Sequence, residues 1–416
     1  MPMAMWLMGF RIKKEPLGTI LVIGAYNYPV QLSLAPFLGA IAAGCTGVVK
    51  PSEQAPRSAM AITKICSVLD PSCYAVVQGG ISETSKLLDQ SWDKIFYTGS
   101  ANVGKIIAKK AAETLTPLTL ELGGKNPAII TKNADLKIAA KRLLWGKFQN
   151  AGQVCISQNY HLVERAALPQ LVKEFEVNLK EFFPEGTANS SSYGRIATDR
   201  AWERLQQVLS NTNGKILYGG KMDRESRFLE LTVVEVTDVN DPLMAEEHFG
   251  PIIVLLAVDN MDEAIRIARE VDPTPLSAYV FGNQAETDKL LDHVRSGGAT
   301  VNDVLFHAAQ RTPPFGGIKS SGQGSYRGKS SFECFTHRRV VAQIPLWAEM
   351  FLKMRYPPYT DKAMNQILAT GGAGKPKFDR SGNPSYTTWD YITSPRLFTL
   401  LTLITGMFFF SDIVYR

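Results

Sequence analysis

Short apolar runs alternate with stretches of helical spacing along most of this chain. Residues 19–23, 47–49, 74–77 and 95–98 are bounded runs rich in β-branched and aromatic side chains, and they predict buried strands. Residues 32–43, 57–69 and 103–115 carry their apolar positions at the helical period. Such alternation predicts a parallel sheet covered by helices, with ligands gathered at the carboxyl ends of its strands. After Lys125 the pattern resumes. Strands are expected at 128–131, 160–163, 228–236, 252–257 and 278–281, and helices at 134–148, 168–183, 261–270 and 286–294, with a polar stretch between 187 and 227. The fold class is therefore α/β, as two units of comparable size.

From about residue 346 the pattern lapses. Pro357-Pro358, Gly371-Gly372-Ala373-Gly374 and Ser381-Gly382-Asn383-Pro384 predict a linker. Residues 397–411 then form an uncharged, mostly apolar run between Arg396 and Asp412. It is apolar around its whole circumference and near the lower limit for spanning a bilayer core, so a C-terminal membrane anchor is expected. A helix lying in the interface, or one packed into the core, is the alternative. At the other end, Arg11, Lys13 and Lys14 follow an apolar run, the reverse of the order in a secretory signal.

Composition narrows the class further. With 45% hydrophobic and 20% charged residues the chain is globular, not disordered. The formal charge of +6 is spread over 45 basic and 39 acidic residues without a dense basic block, so no nucleic-acid partner is expected. Five scattered cysteines and five dispersed histidines suit neither a disulfide framework nor a metal site.

Chemistry concentrates in a few segments. Cys155 follows a predicted helix on the Gly-containing loop Asn150-Ala151-Gly152-Gln153-Val154, where a thiol can be aimed as a nucleophile; an inert buried cysteine is the plainer alternative. Asn27, just past the first strand, could donate to an oxyanion, or simply sit in a turn. Lys50 and Glu53, after the second strand, could hold a ribose. Gly99, Ser100 and Gly104 lead from a strand into a helix N-terminus, a place that favours phosphate, although the segment is not G-x-G-x-x-G. Glu121 lies at the join of the two units, where a general base could reach a cleft.

These segments resemble those of the aldehyde dehydrogenases. Asn27-Tyr28-Pro29, Lys50-Pro51-Ser52-Glu53, Thr98-Gly99-Ser100, Glu121-Leu122-Gly123-Gly124-Lys125, Gly152-Gln153-Val154-Cys155, Glu246-Glu247-His248-Phe249-Gly250-Pro251 and Pro314-Phe315-Gly316-Gly317 fall in the family's order. The segment from Ser320 to Phe332, Arg355-Tyr356-Pro357-Pro358 and the apolar tail are similar to the class 3 branch, which includes membrane-anchored fatty aldehyde dehydrogenases. The resemblance implies NAD-dependent oxidation of hydrophobic aldehydes to acids, with NADP not excluded. Cys155 would form a thiohemiacetal and then a thioester, Asn27 would steady the oxyanion and Glu121 would activate the hydrolytic water. Lys50 and Glu53 would hold the adenosine ribose, Gly99, Ser100 and Gly104 the pyrophosphate, and Glu247 with Phe249 the nicotinamide end.

The resemblance also implies a homodimer and a division of the chain. An N-terminal remnant (1–16) would precede a cofactor domain (17–121) and a catalytic domain (122–315). A return segment (316–345), a linker (346–395) and an anchor (396–416) would follow, with the catalytic part facing the cytosol. Tyr26 stands where the family usually has Trp, and His248 where it has an apolar residue. Family members carry a helical segment before the equivalent of Pro16, so a shortened and catalytically inactive membrane-bound partner is the alternative reading.

Overall fold

The computed structural model describes residues 9–365. The expected tail and most of the expected linker lie outside the described residues, as do residues 1–8. Among the described residues no helix is long and apolar enough to cross a membrane. The chain divides into two compact units. Of the described residues, one contains 9–12 and 340–365; there, where a linker is expected, Leu346–Ala348, Glu349–Leu352 and Lys353–Arg355 form short helical turns. The other, Lys13–Arg339, holds both large sheets and every candidate site residue.

In chain order the strands begin with β1 (Phe10–Pro16), whose charged, largely exposed sequence gives no apolar signal. Next come β2 (Thr19–Ile23), β3 (Thr46–Lys50), β4 (Tyr74–Val76), β5 (Lys94–Thr98) and β6 (Leu118–Glu121). The second half supplies β7 (Pro127–Ile130), β8 (Tyr160–Glu164), β9 (Lys215–Tyr218), β10 (Met222–Asp223), β11 (Phe228–Leu229), β12 (Thr232–Val236), β13 (Ile252–Val258), β14 (Ser277–Phe281) and β15 (Gly298–Val301). The last two are β16 (Gly322–Gln323) and β17 (Thr336–Ala342), the latter paired with β1.

The first sheet runs β16-β6-β5-β2-β3-β4 and is parallel except for β16. Its order reverses between β2 and β5, which opens a crevice at their carboxyl ends. Ile20 and Val22 face one core cluster while Leu21 and Ile23 face another, the period-two signature of a strand buried on both sides. The second sheet runs β15-β14-β7-β8-β13-β12-β9, with only β9 antiparallel. The run expected as one strand over 228–236 is broken. Phe228–Leu229 pairs with β10 in a separate ribbon, and only Thr232–Val236 joins the sheet.

The helix Leu136–Phe148 covers this second sheet. Asp135 caps it, accepting the Ile138 N–H at 3.0 Å, and Ala139, Ala140, Leu143 and Leu144 are buried on its inner face. Truncating Leu143, which is fully buried, would cost about 2–5 kcal/mol. The helix ends at Gln149, and the chain turns there toward the thiol.

Candidate active site

The turn that aims Cys155 is left-handed at three successive residues: Asn150 (φ 49°), Ala151 (φ 52°) and Gly152 (φ 74°). Asn tolerates this conformation, whereas Ala151 holds it at a cost of roughly 1–2 kcal/mol. Gly152 has no substitute, because a Cβ there would lie 2.2 Å from the Gly250 carbonyl oxygen. The turn is fixed by amides. Asn150 donates to the carbonyls of Asn27 (2.9 Å) and Gln153 (3.3 Å), and Gln153 donates to those of Asn150 (2.9 Å) and Arg195 (3.1 Å). The Gln153 side-chain oxygen accepts the Ala197 N–H at 2.9 Å.

Asn126 clamps the far side. Its fully buried amide donates to the carbonyls of Cys155 (2.8 Å) and Ser157 (2.9 Å) and accepts the Ser277 N–H (2.8 Å). This residue follows the Glu121–Lys125 motif directly, yet its role depends on segments far away in the chain. Asn27, at the carboxyl end of β2, donates to the Gln153 carbonyl at 3.1 Å. The structure thus brings Asn27 and the Cys155 loop together. Beside them opens a cavity of about 420 Å3 lined by Tyr28, Pro29, Val30, Gln31 and Gln149 as well as Asn27 and Asn150.

Glu121 ends β6 and is buried at 3% exposure, with neither carboxylate oxygen hydrogen-bonded. Burial holds its pKa well above the usual carboxylate range, against the opposing pull of Arg327. Cys155 is partly exposed. Its desolvated surroundings, with the carboxylates of Glu247 and Glu121, push the thiol pKa up to about 12. Glu247 is itself raised to about 7 by burial, opposed by the Gly124 N–H, Arg204 and Lys147. A Cβ at Gly123 would sit 2.1 Å from a Glu247 carboxylate oxygen, so the Gly-Gly turn makes the space that carboxylate fills.

Most of the residues expected to hold the cofactor lie along the first sheet. Buried Lys50 ends β3 and donates to Glu53 at 2.9 Å, which keeps the Glu53 carboxyl low despite the desolvation that raises it. Ser100 caps the helix Ala101–Ala112, accepting the Val103 N–H at 3.4 Å, and Gly99 and Ser100 stand at the edge of the crevice between β2 and β5. A Cβ at Gly104 would meet Leu122 at 2.8 Å, so this glycine lets the helix pack closely on the segment that follows β6. Phe249, left-handed at φ 54°, packs edge-on against Tyr26 at 6.0 Å between ring centroids. This set fits a dinucleotide. A buried cation paired with a carboxylate lies at one strand end, and a capped helix N-terminus lies at the switch of strand order.

His248 does not face the site. Its ring is fully buried and hydrogen-bonded to the Leu243 carbonyl, and its backbone N–H donates to the Asn159 side-chain oxygen at 2.8 Å. Two charged residues without a signal in the sequence do border the site. Lys147, fully buried on the helix leading to Cys155, donates to the Gln158 carbonyl and is lowered to about 7 by burial. The other is Arg327, stacked on Phe315 with its guanidinium 4.3 Å from the ring centroid.

Residues 4–341 match the model of the aldehyde dehydrogenase family. The Neurospora crassa protein named beta-apo-4'-carotenal oxygenase is 49% identical, over 94% of this chain and 74% of its own length. Mouse aldehyde dehydrogenase family 3 member A2 is 42% identical, over 85% of this chain and 73% of its own. Among solved structures, the substrate-bound AldH of Staphylococcus aureus superposes with a TM-score of 0.79 at 37% identity, covering 85% of this chain and 80% of that one. On these matches, and with a loop thiol and a buried unpaired carboxylate in one unit, this chain belongs to the aldehyde dehydrogenase family, in its class 3 branch.

Proposed function

We propose that the enzyme oxidises long apolar aldehydes, isoprenoid or straight-chain, to carboxylic acids, with NAD as the preferred cofactor. The observation that carries this reading is the buried Glu121 carboxylate, unpartnered and electrostatically coupled to the Cys155 thiol. The Cys155 sulfur adds to the aldehyde carbon. The thiol proton leaves to a neighbouring base, and the developing oxyanion takes hydrogen bonds from the Cys155 N–H and the Asn27 amide hydrogen not given to Gln153. A bound nicotinamide dinucleotide supplies the acceptor for the hydride that converts this adduct to a thioester. Glu121 then takes a proton from the water that releases the acid, for which its raised pKa suits it.

Lys50 and Glu53 hold the adenosine ribose in this reading. A carboxylate there would accept from a 2′-hydroxyl and repel a 2′-phosphate, which favours NAD over NADP. Tyr28, Pro29 and Val30 along the cavity beside Asn27 favour an apolar chain. The name of the Neurospora relative adds an isoprenoid aldehyde to the substrates worth testing first. The apolar run 397–411 holds the enzyme at the membrane into which such substrates partition, with the catalytic part on the cytosolic side and the enzyme as a homodimer. NAD and NADP reduction by the purified full chain with an apocarotenal, hexadecanal and benzaldehyde tests the reading. The largest kcat/KM is expected for the long apolar aldehydes with NAD; a preference for benzaldehyde or for NADP would refute that part.

A further inference from the structure

We propose that His307 is a positioning residue for the nucleophile: it clamps strand β14 to β15, and β14 in turn fixes the turn on which Cys155 sits. The inference rests on the reading of Cys155 as the nucleophile.

The thiol sits in a tight turn. The Ser157 N–H closes it on the Val154 carbonyl at 2.8 Å, which sets the peptide plane that carries the Cys155 N–H. The carbonyls that follow are each taken by a side chain from outside the turn. Asn126 donates to those of Cys155 (2.8 Å) and Ser157 (2.9 Å), and the Tyr279 hydroxyl donates to that of Ile156. A planar peptide cannot turn its N–H without turning its carbonyl, so these bonds hold the backbone from Val154 to Ser157. The amides of Asn27, Asn150 and Gln153 hold the chain just before it.

The bonds on the far side depend on β14. The Ser277 N–H donates to the Asn126 side-chain oxygen at 2.8 Å, which orients that amide toward the turn. Tyr279, two residues on, leaves the strand on the same face as Ser277. Ser277 pairs with Gly298 of β15 and Tyr279 with Thr300, so these residues form one patch across the two strands. β15 is the edge strand of its sheet, paired on one side only.

His307 covers that patch. Its Nε2 is hydrogen-bonded to the Ser277 hydroxyl at 3.0 Å and its Nδ1 to the Thr300 hydroxyl at 2.8 Å. Its backbone N–H donates to the same Thr300 oxygen at 3.2 Å. Gly298 makes room for the ring, since a Cβ there would lie 2.6 Å from His307 Cδ2, and the Tyr279 ring lies 6.0 Å away between centroids. Ala308, the next residue, packs on the small apolar cluster that Cys155 borders. Burial, with Arg327 also opposing a second proton, lowers the His307 pKa to about 4. The neutral ring donates at one nitrogen and accepts at the other, which suits a bridge between two hydroxyls. An apolar side chain of similar size would fill the space without joining the strands.

The test measures kcat and KM of the full chain with NAD and benzaldehyde, with thermal melts of each variant. His307→Leu and Tyr279→Phe are each expected to lower kcat by about tenfold, with both KM values within about threefold, because a misaimed nucleophile slows the reaction more than it weakens binding. The double variant is expected to fall within about twofold of the worse single one, since both act on the same turn. His307→Gln, whose amide can also donate and accept, is expected to recover most of the loss. Ser277→Ala, which removes a single hydroxyl from the clamp, takes the place of His307→Leu should that form not fold. Parental kcat in a folded clamp variant, losses that multiply in the double variant, or a glutamine form no better than leucine overturns the proposal. Cys155→Ser in the same assay separates the two readings. If it still reduces NAD at the parental rate, the reading of Cys155 fails and this proposal fails with it. If it is inactive while folded clamp variants keep the parental kcat, the reading of Cys155 stands and only the His307 proposal falls.

Discussion

Asn27 donates its side-chain amide to the carbonyl of Gln153 at 3.1 Å, across 126 residues of sequence. One amide hydrogen thus ties the end of β2 to the loop that carries the thiol. The other is the one that the proposed reaction assigns to the oxyanion, beside the Cys155 N–H. In this arrangement Asn27 does two things, and they can be told apart. Asn27→Ala should lower kcat by about 10²–10³, the usual effect of removing one oxyanion donor. Cofactor binding, measured by the NAD-dependent rise in melting temperature, should change little. Loss of cofactor binding alongside kcat would mean that the tie between the segments matters more than the donor.

Glu247 restrains the thiol. Its carboxylate is the largest charge effect raising Cys155, and with its own pKa near 7 it is mostly ionised at pH 8.5. Glu247→Gln should therefore lower the thiol pKa and speed iodoacetamide alkylation of cofactor-free enzyme at pH 8.5 by at least about threefold. Peptide mapping would confirm the site. An unchanged or slower rate at Cys155 would remove Glu247 as the controlling charge.

His248 should make the fold sensitive to acid. Burial, with repulsion from Lys147, Arg204 and His161, depresses its pKa to about 3 from an ordinary 6.5. Between those values the unfolded chain binds a proton that the folded one refuses, so stability falls as pH drops below 6.5. At pH 5 the difference is about 2 kcal/mol for one such group. Glu247 acts in the opposite sense, since its raised pKa makes stability fall as pH rises from 4.5 to 7. The informative quantity is therefore a difference between proteins. His248→Leu should show a shallower loss of melting temperature from pH 7 to 5 than the parent, and equal slopes would contradict the assignment.

How much of this was readable beforehand depends on where each signal lies. Most inner strands of both sheets are legible because runs such as Ile20–Ile23 are buried on both faces, whereas β6, β9 and β15 give no bounded apolar run and are not expected from the sequence. The helix Asp199–Asn211 lies in a stretch read as polar, although Trp202, Leu205, Val208 and Leu209 recur at helical spacing and pack on the core; its strongly polar outer face masks them. β16 was missed for a different reason: two residues returning from late in the chain, Gly322 and Gln323, pair with Glu121 and Leu120. Cys155, Glu121, Asn27, Lys50 and Glu53 stood in recognisable motifs. Asn126, Lys147 and Arg327 did not, since each acquires its role through a backbone carbonyl or ring supplied by another segment. Gly104 lies within the helix Ala101–Ala112, where the absence of a side chain admits Leu122.

The membrane assignment rests on the run 397–411, outside the described residues. Deleting 397–416 should move the protein from the membrane pellet to the supernatant and leave kcat for benzaldehyde within about twofold, because the site lies wholly within Lys13–Arg339. Persistence of the shortened protein in the pellet would refute the anchor.

The central claim is that Cys155 carries the acyl group and Glu121 releases it. Intact-mass and peptide analysis of the Glu121→Gln enzyme, taken after mixing with NAD and hexadecanal, tests this most directly. The account predicts one added acyl group per chain, the mass of the aldehyde less two hydrogens, on the peptide containing Cys155, with a single burst of NADH. No adduct despite a burst, an adduct on another residue, or sustained turnover by this variant would contradict it.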